Sequence, residues 1–192
     1  MFSKRLVVSV TALLVLAVFA PGLAAAAELT FVPVPPCRVF DSRCIPPAQA
    51  IAVCPDAVTP GAGSGNDLGG NETRAINVVG TFDQKLQGGQ AVSCGVPGYD
   101  LVDGPVARAV AVNITAINAN NKGNIRVWDS AVTPPTVSNI NYTAAVNIAN
   151  SAIVALSQDP TEGADISVLT GGPVLSVHMA VDIVGYWMDV AP

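Results

Sequence analysis

The sequence predicts an all-β fold: a disulfide-bonded antiparallel β-sandwich of the jelly-roll or Ig-like two-sheet type, with a Pro- and Gly-rich loop at 42–70. The segment 174–187 alternates apolar and polar residues over a long stretch, as a strand with one buried face does. Strand-like segments separated by turn residues recur about every 8 to 12 residues, which is typical of a sandwich.

The last predicted strand has one apolar face and one mostly polar face. The apolar face carries Leu175, Val177, Met179, Val181 and Ile183. The polar face carries Ser176, His178, Ala180 and Asp182. Because a single strand cannot bury an apolar row, a second sheet must pack over it.

The other strands are predicted from the same alternation and from the turns between them. They are placed at 37–41, 73–80, 106–117, 124–129, 136–142, 145–157 and 164–170. The Asn-rich segment 118–123 predicts a hairpin connection, because Asn tolerates left-handed backbone. The segment 144–155 also allows a helix, but its β-branched residues Val146, Ile148 and Ile153 favour a strand.

The first 27 residues have the pattern of a cleaved secretory signal peptide. Lys4 and Arg5 precede an uncharged apolar stretch at 6–20, and small residues before Ala27 offer a cleavage site. The alternative is a membrane anchor, but the stretch is short for a span of about 20 residues. We therefore expect a secreted, extracellular protein, associated with the cell surface or released.

The rest of the chain is predicted to form an extended N-terminal arm at 28–36 and a single sandwich domain at 37–192. Prolines confine the arm to a sheet edge, since proline cannot donate to a ladder. Such a segment adds as a strand to its own domain or to a neighbouring copy. Both arrangements stay open, and Leu29, Phe31 and Val32 are the candidate interface residues.

The charge balance excludes some partners. The chain carries 14 acidic and 9 basic residues, for a formal net charge of −5, without a basic cluster. Nucleic acid and anionic membranes are therefore poor partners. Neutral polar residues must supply the solvent-facing sides of the strands, and sheets without edge charges associate readily.

Four cysteines remain after the leader: Cys37, Cys44, Cys54 and Cys94. An even number in an exported chain predicts disulfides, and four cysteines allow three pairings. Cys44 and Cys54 bracket a short Pro-rich segment, while Cys37 and Cys94 would tie the first strand to the middle of the chain. Of the three pairings, we favour the one that joins Cys44 to Cys54 and Cys37 to Cys94. The cysteines lack the paired spacing of zinc sites.

No active site is predicted. His178, the only histidine, lies about 13 Å from Asp182 along an extended strand, too far for a direct hydrogen bond. No Gly-x-Ser-x-Gly elbow supplies a nucleophile. Asp41 lies between Arg38 and Arg43 in sequence, and we expect Asp41 and Arg43 to form a structural ion pair or to cap a turn. We expect no catalytic residues and no enzyme activity.

Two weaker ligand candidates exist. A Gly- and Asp-rich segment containing Asn66 and Asp67 resembles one turn of a calcium-binding repeat. Since those motifs work as stacked copies, we predict no metal or cofactor. Trp128, Tyr142 and Trp187 are candidates for a sugar-stacking platform, with core packing as the competing interpretation.

Three stretches have a characteristic order: Pro-Cys-Arg-Val-Phe-Asp-Ser-Arg at 36–43, Cys-Gly-Val-Pro at 94–97 and Val-Asp-Ile-Val-Gly-Tyr-Trp at 181–187. Together they resemble a family of bacterial secreted and cell-surface all-β domains, with Ser42 where Thr is usual. The resemblance covers residues 32–187. It implies a β-rich, non-catalytic module and supports the pairing of Cys37 with Cys94.

The expected function is a secreted, non-enzymatic structural or adhesion module. Its expected partners are copies of itself, joined through edge strands into a polymer or surface layer, and glycans of the cell surface. No membrane span is expected after leader cleavage. The alternative is a carbohydrate-binding module that uses exposed aromatic residues.

Overall fold

The computed structural model describes residues 28–44, 67–89, 93–98, 106–159, 161, 163–173 and 176–189. The predicted leader at 1–27, most of the predicted loop at 42–70 and the predicted strand residue Leu175 lie outside these ranges.

The described chain consists of eight β-strands and a short 3-10 helix at Gln84–Gln87. The strands are β1 (Leu29–Asp41), β2 (Thr73–Ile76), β3 (Ala107–Ile117), β4 (Gly123–Asp129), β5 (Ile140–Tyr142), β6 (Ile148–Ala155), β7 (Ile166–Gly171) and β8 (His178–Asp189). In the segment 144–155, for which a helix was the alternative, residues 148–155 form strand β6, while 144–147 precede it as a turn and irregular backbone. Asn118, at the start of the β3–β4 turn, has a φ of 49°, which confirms the predicted left-handed backbone there.

The strands form two antiparallel four-stranded sheets. The first sheet has the order β1-β8-β3-β6, and the second sheet has the order β2-β7-β4-β5. Strands equally far from the two ends of the series pair with each other: β1 with β8, β2 with β7, β3 with β6, and β4 with β5. This is the pattern of one long hairpin rolled into two sheets. The predicted sandwich is confirmed, and of its two predicted forms it is the jelly roll.

The core lies between the two sheets and follows the alternation of the strands. In β3, Val110, Val112, Ile114 and Ala116 are fully buried and lie two apart in sequence. Residues from both sheets contribute to one hydrophobic cluster around them. The outer face of the first sheet carries the intervening residues, among them Ala109 and Ala111, which are partly exposed.

A β-bulge divides β8 into two halves of opposite alternation. Val112 of β3 pairs with Ile183, whereas the preceding Ala111 pairs with Gly185, so Val184 is an extra residue. Before the bulge, Val177, Met179, Val181 and Ile183 point into the core, as predicted. Beyond it Tyr186 belongs to the core, and its neighbour Trp187 faces outwards. The sequence pattern contained no sign of this reversal.

The predicted arm and the predicted first strand are one continuous strand, β1, at an edge of the first sheet. The arm pairs with β8 of its own chain, with Phe31 opposite Trp187, and the register shifts between Pro33 and Cys37. The prolines occupy the edge position that their missing N–H groups demand.

A disulfide joins Cys37 of β1 to Cys94, with a Cα–Cα distance of 5.7 Å. This confirms the favoured pairing, which links residues 57 apart in sequence. Cys44 is also disulfide-bonded. Its predicted partner, Cys54, lies outside the described residues.

Candidate functional site

Four charged residues near the two ends of the domain form an ion-pair cluster: Arg38, Asp41, Arg43 and Asp182. Asp41 is fully buried, and its carboxylate accepts hydrogen bonds from Arg38 Nη1 at 2.9 Å and Arg43 Nη2 at 2.6 Å. Arg38 Nε donates to Asp182 Oδ1 at 2.8 Å, since the β1–β8 register places the two residues opposite each other. The predicted ion pair of Asp41 with Arg43 is present and is extended across the sheet.

The electrostatics of this cluster favour a structural role. Hydrogen bonding to Asp182 raises the pKa of the Arg38 guanidinium, and hydrogen bonding to Asp41 raises that of Arg43. Both arginines therefore stay charged, and both already face carboxylates. The cluster clamps the end of β1 to β8 and offers little unneutralised charge to an anionic ligand.

His178 lies beside this cluster and is buried, contrary to its expected place on a solvent-facing polar face. Its side chain is 2% exposed, because the turn at Ser42 and the bridge between Leu68 and Val177 lie next to it. His178 Nδ1 is 3.2 Å from Ser42 Oγ, which accepts a hydrogen bond from the backbone N of Met179 at 2.9 Å. Burial lowers the pKa of His178. Since Ser42 is itself fully buried, its hydroxyl is not presented to a substrate.

The three candidate platform aromatics are not brought together. Trp128 is 8% exposed and its Nε1 donates to the carbonyl of Val132, at 3.0 Å. Tyr142 belongs to the core of the sandwich, and burial raises its pKa to about 12. Both lie in the second sheet, whereas Trp187 lies in the first. Only Trp187 has a partly accessible ring, so the three do not form one exposed sugar-binding surface.

Of the two weak calcium candidates, only Asp67 lies among the described residues. Asp67 is partly buried at the start of a described segment, and Asn66 lies outside the described residues. Among the described residues, no group of three or more His, Cys, Asp or Glu side chains is placed to hold a metal ion.

The candidate interface residues of the arm lie along the β1 edge. The Phe31 ring packs against Trp187 with ring centroids 4.7 Å apart, and a Cβ at Gly185 would overlap it. Phe31 is nevertheless 44% exposed and Leu29 is similarly exposed, while Val32 packs against the core. The arm is thus docked on its own domain and leaves apolar surface in solvent.

A shallow apolar groove crosses the outer face of the first sheet, with a volume of about 410 Å³. Its lining residues are Ala111, Val112, Ser151, Ala152, Ile153 and Val184. The small side chain of Ala111 forms the floor between the larger Ile153 and Val184. The groove exists because a small residue of β3 lies between an exposed residue of β6 and the bulge of β8.

Beside this groove, β6 forms an edge of the first sheet that no other strand of the described residues covers. It pairs with β3 and stands last in the strand order. Its sequence, Ile-Ala-Asn-Ser-Ala-Ile-Val-Ala, has no charged residue and no proline. Only Val154 is buried, and Ile153 is 68% exposed. Such an edge presents backbone N–H and C=O groups with which another strand can pair.

Comparisons of the chain with protein-family models, with curated proteins and with solved structures find no match. Within the ranges that the structure describes, no helix has the length and apolar character needed to cross a membrane.

The β6 edge was not among the residues that the sequence pattern singled out. A signal was nonetheless present: no charged residue occurs from 130 to 158. A strand in such a segment cannot protect itself with charge if it lies at an edge. Whether it lies there depends on strand order, which the local pattern does not reveal.

Proposed function

We propose that this protein is a secreted, non-enzymatic structural module that assembles with copies of itself through edge strands, as the subunit of an extracellular polymer or surface layer. The observation that carries the proposal is the unprotected β6 edge. Natural sheets normally protect their edges against association, so an exception indicates an edge that is used.

The other three edges of the sandwich each carry a recognised protection. β1 has prolines at 33, 35 and 36 and shifts register twice. β2 is four residues long and includes Arg74. β5 is three residues long. By contrast, β6 extends over eight residues with none of these features.

Two further features support an extracellular role. The Cys37–Cys94 disulfide suits a protein that folds in an oxidising compartment. The predicted signal peptide provides the route of export.

The jelly roll holds β6 against β3 over its whole length, so the edge is rigid and ready to pair without refolding.

The test places a charge on the edge. Ser151 is exposed in the middle of β6, and Ser151→Lys should leave the fold intact while blocking strand pairing, as edge lysines do. Light scattering and electron microscopy of the secreted protein should show assemblies for the wild type and folded monomers for Ser151→Lys.

The matched control is Val137→Lys, at a residue that is 71% exposed and lies outside the strands. It should assemble like the wild type. A wild type that stays monomeric at high concentration would refute the proposal. Normal assembly of Ser151→Lys would show that copies associate through another surface.

A further inference from the structure

The backbone groups of β6 that are available for pairing can be assigned from its register with β3. The backbone N of Leu156 donates to the carbonyl of Arg108 at 2.9 Å, and Ala155 pairs with Ala109. Hydrogen-bonded and non-hydrogen-bonded pairs alternate in an antiparallel ladder, so the even-numbered residues of β6 bond to β3. The N–H and C=O groups that point away from the sheet belong to Ala149, Ser151, Ile153 and Ala155.

We propose that β6 pairs antiparallel with β6 of a second copy about a two-fold axis at Ile153, joining two first sheets into one continuous sheet. The inference rests on the proposed function and specifies its partner and symmetry. In this register Ile153 lies opposite Ile153 of the second copy, and Ser151 lies opposite Ala155. The outward groups of these residues then exchange roughly six backbone hydrogen bonds.

The side chains favour this self-pairing. Directly opposite residues in an antiparallel pair project from the same face of the sheet. Ile153 has only the small Ala111 opposite it on the β3 side, which leaves its side chain exposed. The two-fold register gives it an isoleucine neighbour on the open side. Because β6 carries no charge, pairing it with itself brings no like charges together.

The β1 edge is a poorer partner for β6. Pro33, Pro35 and Pro36 have no N–H to donate, and the register of β1 shifts at this point. Only the short segment before Pro33 offers an unbroken ladder. A β6–β1 contact would moreover be heterologous and continue from copy to copy, whereas a β6–β6 contact is isologous and closes as a dimer. We therefore infer that the unit of assembly is a β6-linked dimer with the β1 edges at its two ends, and that a polymer or layer would join such dimers through contacts other than β6.

Cysteine cross-linking of the mature, secreted protein tests this arrangement. In the two-fold pair, the Cα atoms of position 153 in the two copies are about 5.5 Å apart, which suits a disulfide. Under mild oxidation, Ile153→Cys should double its mass on a non-reducing gel and return to monomer on reduction. Ser151→Cys is the matched control on the same strand and face. Its two positions would be about 14 Å apart and should not link.

The remaining outcomes separate the alternatives. A ladder that appears only when Ile153→Cys is combined with Phe31→Cys would replace the dimer with β6–β1 pairing and overturn the inference. So would linking of Ser151→Cys without linking of Ile153→Cys. Light scattering of the wild type distinguishes these results from failure of the proposed function, in which no assembly exists at all.

Discussion

At the scale of single residues, Asp41 shows how a buried charge can be accommodated. Its carboxylate has no exposure, yet it receives hydrogen bonds from two guanidinium groups and from the backbone N of Arg43 at 3.0 Å. Asp182 binds the same Arg38 but remains partly exposed. The two carboxylates therefore form a natural pair for measuring the effect of burial on an ion pair.

Asp41→Asn should lower the free energy of unfolding by about 3 kcal/mol, because two arginines lose their buried counter-charge. Asp182→Asn should cost about 1 kcal/mol or less, because solvent screens the partly exposed pair. Urea denaturation of both variants measures the difference. Equal losses would mean that the burial of Asp41 has no special weight.

At the scale of the element, the two halves of β1 are attached to the domain by different contacts. Its second half carries Cys37 and Asp41 and is tied into the domain by the disulfide and the ion-pair cluster. Its first half, the predicted arm, is held by its ladder with β8, by the packing of Phe31 on Trp187 and by the contacts of Val32 and Val34 with the core. The prolines separate the halves, so the first half can leave without unfolding the second.

Deletion of residues 28–34 behind an intact leader should therefore give a folded protein that still assembles, since β6 is at the opposite edge of the sheet. Trp187 loses its contact with Phe31, so its fluorescence should shift to longer wavelength, while the buried Trp128 serves as internal reference. Phe31→Ala alone should produce part of the same shift.

The opposite result is equally informative. A folded monomer after this deletion would show that the arm pairs with a neighbouring copy in the assembly, the alternative that the sequence left open.

At the scale of the whole molecule, the rolled hairpin brings the two ends of the domain together. β1 and β8 are neighbours in the first sheet, and their contact includes the ion-pair cluster and the buried pair of Ser42 and His178. The stability of the domain is therefore sensitive to the protonation of its only histidine.

Burial lowers the pKa of His178 below its ordinary value of 6.5, so the folded protein resists protonation there. As the pH falls below 6.5, the unfolded chain binds a proton that the folded chain does not, and the free energy of unfolding decreases until the folded pKa is reached. His178→Gln should be less stable at neutral pH but lack this decrease. Denaturation at a series of pH values tests it, and an identical slope in the variant would assign the effect to other groups.

The alternation of side chains predicted most of the fold. Strand β3 with its buried Val110 and Val112, the turn at Asn118 and the core face of β8 up to Ile183 all follow local rules of period two and turn chemistry. The Cys37–Cys94 disulfide was favoured because of the position of its cysteines in the chain and the motifs around them. The strands and the turn depend on residues near one another in sequence, and the disulfide had to be chosen from only three possible pairings of four cysteines.

Only the tertiary structure decided which strands became edges and which polar or aromatic side chains became buried. His178 is buried because segments distant in sequence cover its face, and Tyr142 is buried in the core between the two sheets. Trp128 is buried outside that core, next to Val132, whose carbonyl accepts a hydrogen bond from its Nε1. The bulge at Val184 and the open edge of β6 arise from register and strand order, to which residues far apart in the chain contribute. The sequence by itself determined the strands and their faces, because period-two alternation is local. The proposed association surface required the structure, because the order of strands in a sheet depends on residues far apart in the chain.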